Sequence, residues 1–378
     1  MSVLVAFDKF KGSLTQSELT EIVENYLSAI GIKYESILMA DGGDGSVEAL
    51  ISQGWQEKRL EVTGPLDNTH LARFAVSSDR SRVAIELAEL CGIKYLNGNL
   101  APFAASSRAI GEALVKIKPS NFEELVVCLG GSASVDGGAG LLQSLGVKIL
   151  DSHGSEISPG LAGLVAARSI DTYSLDHVRR TYIGECKIRV LSDTSASLTG
   201  FHGAALSFGR QKGLSFLGVI RAEIALQRWK EMASTCSGTA ISSIPGQGCA
   251  GGIGFAFQAF LGAEIESGSE FFLRESGAAD ALLKSSMVVT GEGRIDKTTL
   301  TGKSIFPVLE LARNLNKKIM LICGSADESI LRHLKNNYPV VEVIRLSDFN
   351  RPLHQLIRDA RVLLKEALKK VPIERWSQ

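Results

Sequence analysis

The stretch from Val126 to Gly146 reads VVCLGGSASVDGGAGLLQSLG and carries a strand, a glycine turn and a helix start in one short segment. Val126, Val127 and Leu129 suit a buried strand, which Gly130 and Gly131 end where the backbone must bend. Ser132, Ser134 and Asp136 supply polar groups. Gly137, Gly138 and Gly140 then strip side chains from the start of a helix carrying Leu141, Leu142 and Leu145. Backbone N–H groups at such a start are expected to face an anion.

The same device recurs upstream. A strand expected over Tyr34–Met39 runs into Asp41-Gly42-Gly43-Asp44-Gly45 and a helix with Val47, Leu50 and Ile51, so a second Asp-Gly-Gly step joins strand to helix. The flanking sequences do not repeat, which makes this local reuse rather than a duplicated domain. Earlier still, Ser2–Phe7 reads as a first strand. Thr15–Ile30 reads as a helix, with Leu19, Ile22, Val23, Tyr26 and Leu27 at helical spacing and capping-box spacing at Thr15 and Glu18. The loop between them carries Asp8 and Lys11 at the carboxyl end of a strand, where open α/β sheets bind ligands. A solvated loop is the alternative.

Downstream the pattern changes. Lys58–Thr63, His70–Val76 and Arg82–Leu87 read as adjacent strands without intervening helices, which places a domain boundary near residue 60. A helix is expected over Ser106–Ile117. Ile188–Leu191 forms another strand ending in Ser192-Asp193-Thr194. Lys212, beside Gly213, can direct an ammonium at a phosphate, with an exposed turn lysine as the alternative. Gly246–Leu261 is glycine-rich, then apolar, and suits either backbone-on-backbone packing or ligand contact. Alternation of strand and helix returns near residue 285, with strands at Met287–Thr290, Ile319–Cys323 and Val340–Ile344 and a last helical stripe from Leu353 to Leu368. The expected architecture is α/β: a doubly wound parallel sheet built from residues 1–60 and 285–378, interrupted by a second, inserted α/β domain over 61–284.

Composition narrows the function. The 41 basic and 41 acidic residues of the 378 cancel, and no basic run tracks a nucleic-acid backbone, so nucleic acid is excluded as the expected partner. Six cysteines lack C-x-x-C spacing, which points to reduced, buried thiols. Without a signal-peptide pattern or a bilayer-length apolar run, a cytoplasmic protein with no membrane partner is expected.

Two near-miss motifs are informative. Thr290-Gly291-Glu292-Gly293-Arg294-Ile295-Asp296 begins like a dinucleotide fingerprint, but Asp296 stands where the third glycine is required. Gly302-Lys303-Ser304 ends like a P-loop, yet Lys297 stands in place of the leading glycine. What survives is a set of charges after a strand end, Glu292, Arg294, Asp296 and Lys303, suited to a phosphate or its magnesium ion.

Five blocks then carry a resemblance: Asp8 with Phe10-Lys11-Gly12-Ser13; Met39-Ala40-Asp41-Gly42-Gly43; Gly130-Gly131-Ser132 with Asp136-Gly137-Gly138-Ala139-Gly140; Gln211-Lys212-Gly213; and Thr290–Asp296. In these, and in their order, the chain resembles the type-1 glycerate kinases along nearly its whole length. The resemblance implies a flavodoxin-like domain interrupted by a second α/β domain. It implies transfer of the γ-phosphoryl group of ATP, with Mg2+, to a hydroxyl of D-glycerate, giving 2-phosphoglycerate when the 2-hydroxyl accepts. Asp193, Asp136 and Lys212 are the expected catalytic groups, and Asp296 and Asp193 the expected metal ligands. Asp8, Lys11, Asp41, Gly42, Gly43, Gly130, Gly131, Ser132, Gly137, Gly138, Gln211, Gly291, Glu292, Arg294 and Lys303 are expected to hold substrate and phosphates. A homodimer is compatible with this reading. The chain departs from the family at Asp193-Thr194-Ser195-Ala196-Ser197-Leu198, where an Asn-Pro step is usual, and at Lys9, Asp44, Arg210 and the AASSRAIG run from Ala104 to Gly111. A divergent non-catalytic paralogue that binds a small hydroxy acid or nucleotide, or a kinase for a different hydroxy acid, is the alternative.

Overall fold

A computed structural model of the chain describes residues 2–10, 12–301 and 305–376. Thirteen strands occur among them. They are β1 (Ser2–Phe7), β2 (Lys33–Leu38), β3 (Gln56–Thr63), β4 (Thr69–Val76), β5 (Arg82–Glu86), β6 (Glu124–Cys128), β7 (Ile149–Leu150), β8 (Ser169–Ile170), β9 (Lys187–Leu191), β10 (Glu264–Glu266), β11 (Met287–Ile295), β12 (Lys318–Ala326) and β13 (Val340–Arg345). By internal contacts the chain separates into two units, Met1–Asp41 with Ser269–Gln378, and Gly42–Gly268.

The first unit is a five-stranded sheet in the order β13-β12-β11-β1-β2, with every pair parallel. Counted along this unit the order is 2-1-3-4-5, the flavodoxin-like form of the doubly wound sheet. Successive side chains of a strand point to opposite faces, and β1 uses both. Val3, Val5 and Phe7 pack with Leu19, Ile22 and Val23 of the Gln16–Ala29 helix and with Leu363, Leu364 and Leu368 near the C-terminus. Leu4 and Ala6 pack on the opposite face with Ala281, Leu282, Val308 and Leu309. At the start of the Gln16–Ala29 helix the Thr15 side chain accepts from the Glu18 amide while the Glu18 carboxylate accepts from Thr15, the reciprocal cap that the spacing predicts.

The second unit contains a six-stranded sheet in the order β10-β9-β6-β5-β4-β3, together with the small β7-β8 pair. Its β3, β4 and β5 run antiparallel, as expected of strands without crossover helices, and β5, β6, β9 and β10 are parallel.

Three expectations need correcting. A boundary at residue 60 falls inside β3, a strand of the second sheet, and the contact division lies at Asp41 instead. A boundary at 285 would sever the Ala278–Lys284 helix from the first unit, whose core holds its Ala278, Ala281 and Leu282. The single helix expected from Leu353 to Leu368 is two, Leu353–Arg358 and Ala360–Lys370, and the first of these buries none of its residues. No helix among the described residues is long and apolar enough to cross a membrane.

Candidate active site

In the first unit a cavity of about 540 Å3 opens at the carboxyl ends of the parallel strands. The 2-1-3-4-5 order reverses direction between β1 and β11, and crevices at such a switch point are where doubly wound sheets bind ligands. Asp8 follows β1, Asp41 follows β2, and Glu292, Arg294 and Asp296 come from the end of β11 and just beyond it. All five line the cavity, with Lys9, Phe10, Ser13, Thr298, Ser325 and Leu353 among their neighbours.

The charges here are held by local bonds. Asp8 is buried, and its Oδ1 accepts from the Lys9 amide at 2.7 Å. Lys9 Nζ stands 4.0 Å from Asp41 Oδ1. The Glu292 carboxylate accepts from Thr299 Oγ1 at 2.5 Å. Asp296 accepts from the hydroxyl and amide of Thr298, and these bonds, the hydroxyl first, hold its carboxyl below the ordinary carboxylate range. Arg294 Nε lies 3.5 Å from Asp296 Oδ2 and is otherwise largely exposed. Lys11 and Lys303, expected to bind phosphate, lie outside the described residues. Gly291 does not face the cavity. It sits inside β11, where a Cβ would come within 1.7 Å of the Ile322 carbonyl oxygen, so close strand packing accounts for the missing side chain.

In the second unit the residues of Val126–Gly146 form β6, a turn and the Ala139–Leu145 helix. The amides expected to face an anion instead face a carboxyl group of the protein itself. The Asp136 carboxylate, fully buried, accepts from Ser107 N and Oγ at 2.8 Å each, from Gly138 N at 3.2 Å and from Gly140 N at 3.3 Å. Leu141 N donates to Ser107 Oγ at 3.0 Å, and Gly137 N donates to the Gly251 carbonyl. Gly137 and Gly138 are glycines because of close packing as well as positive φ: a Cβ would meet Trp229 at 2.9 Å and Ala256 at 2.4 Å respectively. Asp136 therefore braces the loop. The Gly246–Leu261 segment closes against it, with Gly251 near Ser134 and Gly252 near Gly137, which decides that stretch for backbone packing.

The second glycine step behaves likewise. Gly42 packs against Leu191, and a Cβ on Gly130 would lie 2.3 Å from the Gly43 Cα, so the two Gly-Gly turns touch. The Ser46–Ser52 helix after them takes its cap from Glu86 at the end of β5, whose carboxylate accepts from Gly45 N at 3.1 Å and Val47 N at 2.9 Å. Burial pushes the Glu86 acid up to about 7, with Asp44 and Glu89 adding to the rise and the two amides opposing it. Sequence reasoning missed both Glu86 and Ser107. The available signal for Glu86 was a carboxylate ending the apolar run Val83-Ala84-Ile85.

Lys212 is buried, which removes the exposed-turn alternative. Its ammonium donates to Ser132 Oγ at 2.9 Å and to the Ser134 carbonyl at 2.7 Å, and burial pushes its pKa down to about 8. Gln211 beside it and Gly131 are exposed, whereas Gly130 is half-buried. Asp193, half-buried after β9, accepts from Ser267 Oγ at 2.8 Å. In the departing loop after it, hydroxyls replace the usual turn residues: Ser192 Oγ accepts from Thr194 N and Thr194 Oγ1 from Ala196 N, each at 3.3 Å. All six cysteines are free, and burial pushes the Cys91 and Cys323 thiols up to about 12, so none of this chemistry depends on a reactive thiolate at either position.

Residues 3–376 match the model of the glycerate kinase family. The chain belongs to that family. Glycerate 2-kinase of Escherichia coli K12 is 34% identical over 335 residues, covering 87% of each chain, and glycerate kinase of Bacillus subtilis 168 is 33% identical over 332 residues, covering 86% of this chain and 85% of the relative. A crystal structure described as glycerate kinase 2 from Salmonella typhimurium LT2 superposes with a TM-score of 0.77 at 31% identity, covering 98% of each chain. Family membership and fold thus agree with the resemblance carried by the five sequence blocks.

Proposed function

We propose that the protein phosphorylates D-glycerate on its 2-hydroxyl, taking the γ-phosphoryl group of ATP and releasing ADP. The observation that carries this is the convergence of Asp8, Asp41, Glu292, Arg294 and Asp296 on one cavity at the switch point of the sheet, in a chain of the glycerate kinase family. The name of the Escherichia coli relative supports the 2-position.

In the reaction the glycerate oxygen forms a bond to the γ-phosphorus while the bond to the ADP oxygen breaks, and the hydroxyl proton must go to a base. Asp193 is the proposed acceptor of that proton, with its carboxylate oriented by Ser267. Asp136 is too fully engaged for that task, and it and Lys212 are proposed to act by holding the Ser132–Gly140 turn in place. The oxygen-rich lining suits Mg2+, which favours carboxylates, waters and substrate phosphates over an all-protein cage. Asp296 would hold the ion, which when bound neutralises phosphate charge.

ADP release across a panel of small hydroxy acids, with product identification, tests the reading. D-glycerate is expected to give 2-phosphoglycerate, and Asp193→Asn is expected to lower turnover by about 10^2-fold or more. Turnover near wild type in that variant would remove Asp193 from the chemistry. Silence across the panel, with thermal stabilisation by ATP intact, would instead establish a binding protein.

A further inference from the structure

The cavity of the first unit has a lining of two chemical kinds: the charged strand-end residues Asp8, Asp41, Glu292, Arg294 and Asp296, and the apolar Phe10, Leu346, Leu353, Leu356 and Ile357, of which Phe10 and Leu346 belong to the buried core. Leu353 is 70% exposed and Ile357 40% exposed, so both lose by facing water and gain by being covered. The Leu353–Arg358 helix that carries them buries no residue fully: its Leu356 packs against the core, but Leu353 and Ile357 stay exposed, so filling the core does not explain those two side chains. Ser13 Oγ donates to the Ile357 carbonyl at 3.4 Å, which ties this helix to the loop after β1. A volume of about 540 Å3 is enough for a drug-sized ligand.

A ligand that matches both kinds of lining must carry charge and a broad apolar face. Of the two substrates in the proposed reaction, glycerate is a small hydroxylated acid with no surface to cover three aliphatic side chains. A nucleoside triphosphate has such a surface in its planar base. Resting on that reading of the reaction, we propose that the face formed by Leu353, Leu356 and Ile357, with Phe10 and Leu346, is the seat of the nucleotide base. The phosphates, carried with magnesium, then run toward Lys9 and Arg294 among the strand-end carboxylates. Contact of aliphatic side chains with the base supplies affinity for the nucleotide that a bare polyphosphate cannot gain.

Calorimetric titration of the full chain with ATP and magnesium, and separately with inorganic tripolyphosphate and magnesium, tests this. The exposed positions allow Leu353→Ser and Ile357→Ser without disturbing the core. The double variant is expected to bind ATP about tenfold more weakly while binding tripolyphosphate as the wild type does. Unchanged ATP affinity, equal weakening of both probes, or absence of ATP binding to the wild type would each overturn the assignment. The outcome is separable from the reaction itself. Selective loss of ATP affinity in a protein that phosphorylates no hydroxy acid would keep the base seat and sink the kinase reading, and phosphorylation of glycerate with unaltered ATP binding in the variants would do the reverse.

Discussion

The helix starts at Gly45 and Gly138 follow the same Asp-Gly-Gly step, yet they are capped in different ways. At the first, the Glu86 carboxylate receives two backbone amides, from Gly45 and Val47. At the second, the Asp136 carboxylate receives three amides and a hydroxyl. Both carboxylates are buried, at 1% and 0% exposure, so desolvation opposes each charge and hydrogen bonds must offset it. At Glu86 burial outweighs the two amides, Asp44 and Glu89 add to the rise, and the acid is pushed up to about 7. The lesson concerns glycine-rich helix starts in general: an anion-binding geometry can be occupied by an internal carboxyl group.

The largest effect should come from Asp136→Asn. Oδ2 accepts three of the four bonds and Oδ1 the fourth, whereas a carboxamide has only one oxygen to offer. Whichever way the amide is turned, at least one buried donor is orphaned. A loss of about 3 kcal/mol is expected, read as a lower urea midpoint with unchanged slope. A loss below about 1 kcal/mol would mean that the second carboxylate oxygen is not needed to hold the loop.

Glu86→Gln should behave differently, with a sign that depends on pH. Because the folded-state pKa is raised from 4.5 to about 7, the folded protein binds the proton more tightly than the unfolded chain. The stabilisation is fully present below pH 4.5 and is lost as pH rises through about 7. Glutamine does not titrate, but its NH2 group leaves one amide donor unpaired at all pH values. Relative to wild type the variant is expected to gain about 2 kcal/mol between pH 5 and pH 8, going from less stable to more stable. Parallel stability curves for the two proteins would show that Glu86 keeps its charge throughout.

What was legible in the sequence follows from the range of each signal. The Gln16–Ala29 helix and its Thr15–Glu18 cap are written in residues three and four apart, and the parallel strands show as apolar runs. Strand ends in a doubly wound sheet converge by topology, so Asp8, Asp41, Glu292, Arg294 and Asp296 could be grouped before any coordinates, and they line one cavity. The partners of the glycine turns could not be. Ser107 lies 29 positions before Asp136, and Glu86 lies 41 positions after Gly45, distances over which no local pattern operates. The apolar stripe after Pro352 misled for a related reason. Its spacing says helix, but only the fold shows that Leu353 and Ile357 line a cavity while Leu363 and Leu364 fill the core.

The finest test of the comparison is Ser107→Ala. The buried Ser107 hydroxyl donates to Asp136 Oδ2 at 2.8 Å and accepts from Leu141 N at 3.0 Å, so it relays the carboxylate's hold one residue further into the helix. Alanine leaves Asp136 with its three amide donors but orphans the Leu141 amide, and a loss of about 1.5 kcal/mol is expected. Combined with Asp136→Asn, the two losses should fall short of additivity, since both act on one network. If the serine variant alone costs as much as the asparagine variant, the hydroxyl rather than the amides secures the loop. If it costs nothing, the hydroxyl adds nothing to the hold that the amides have on the loop.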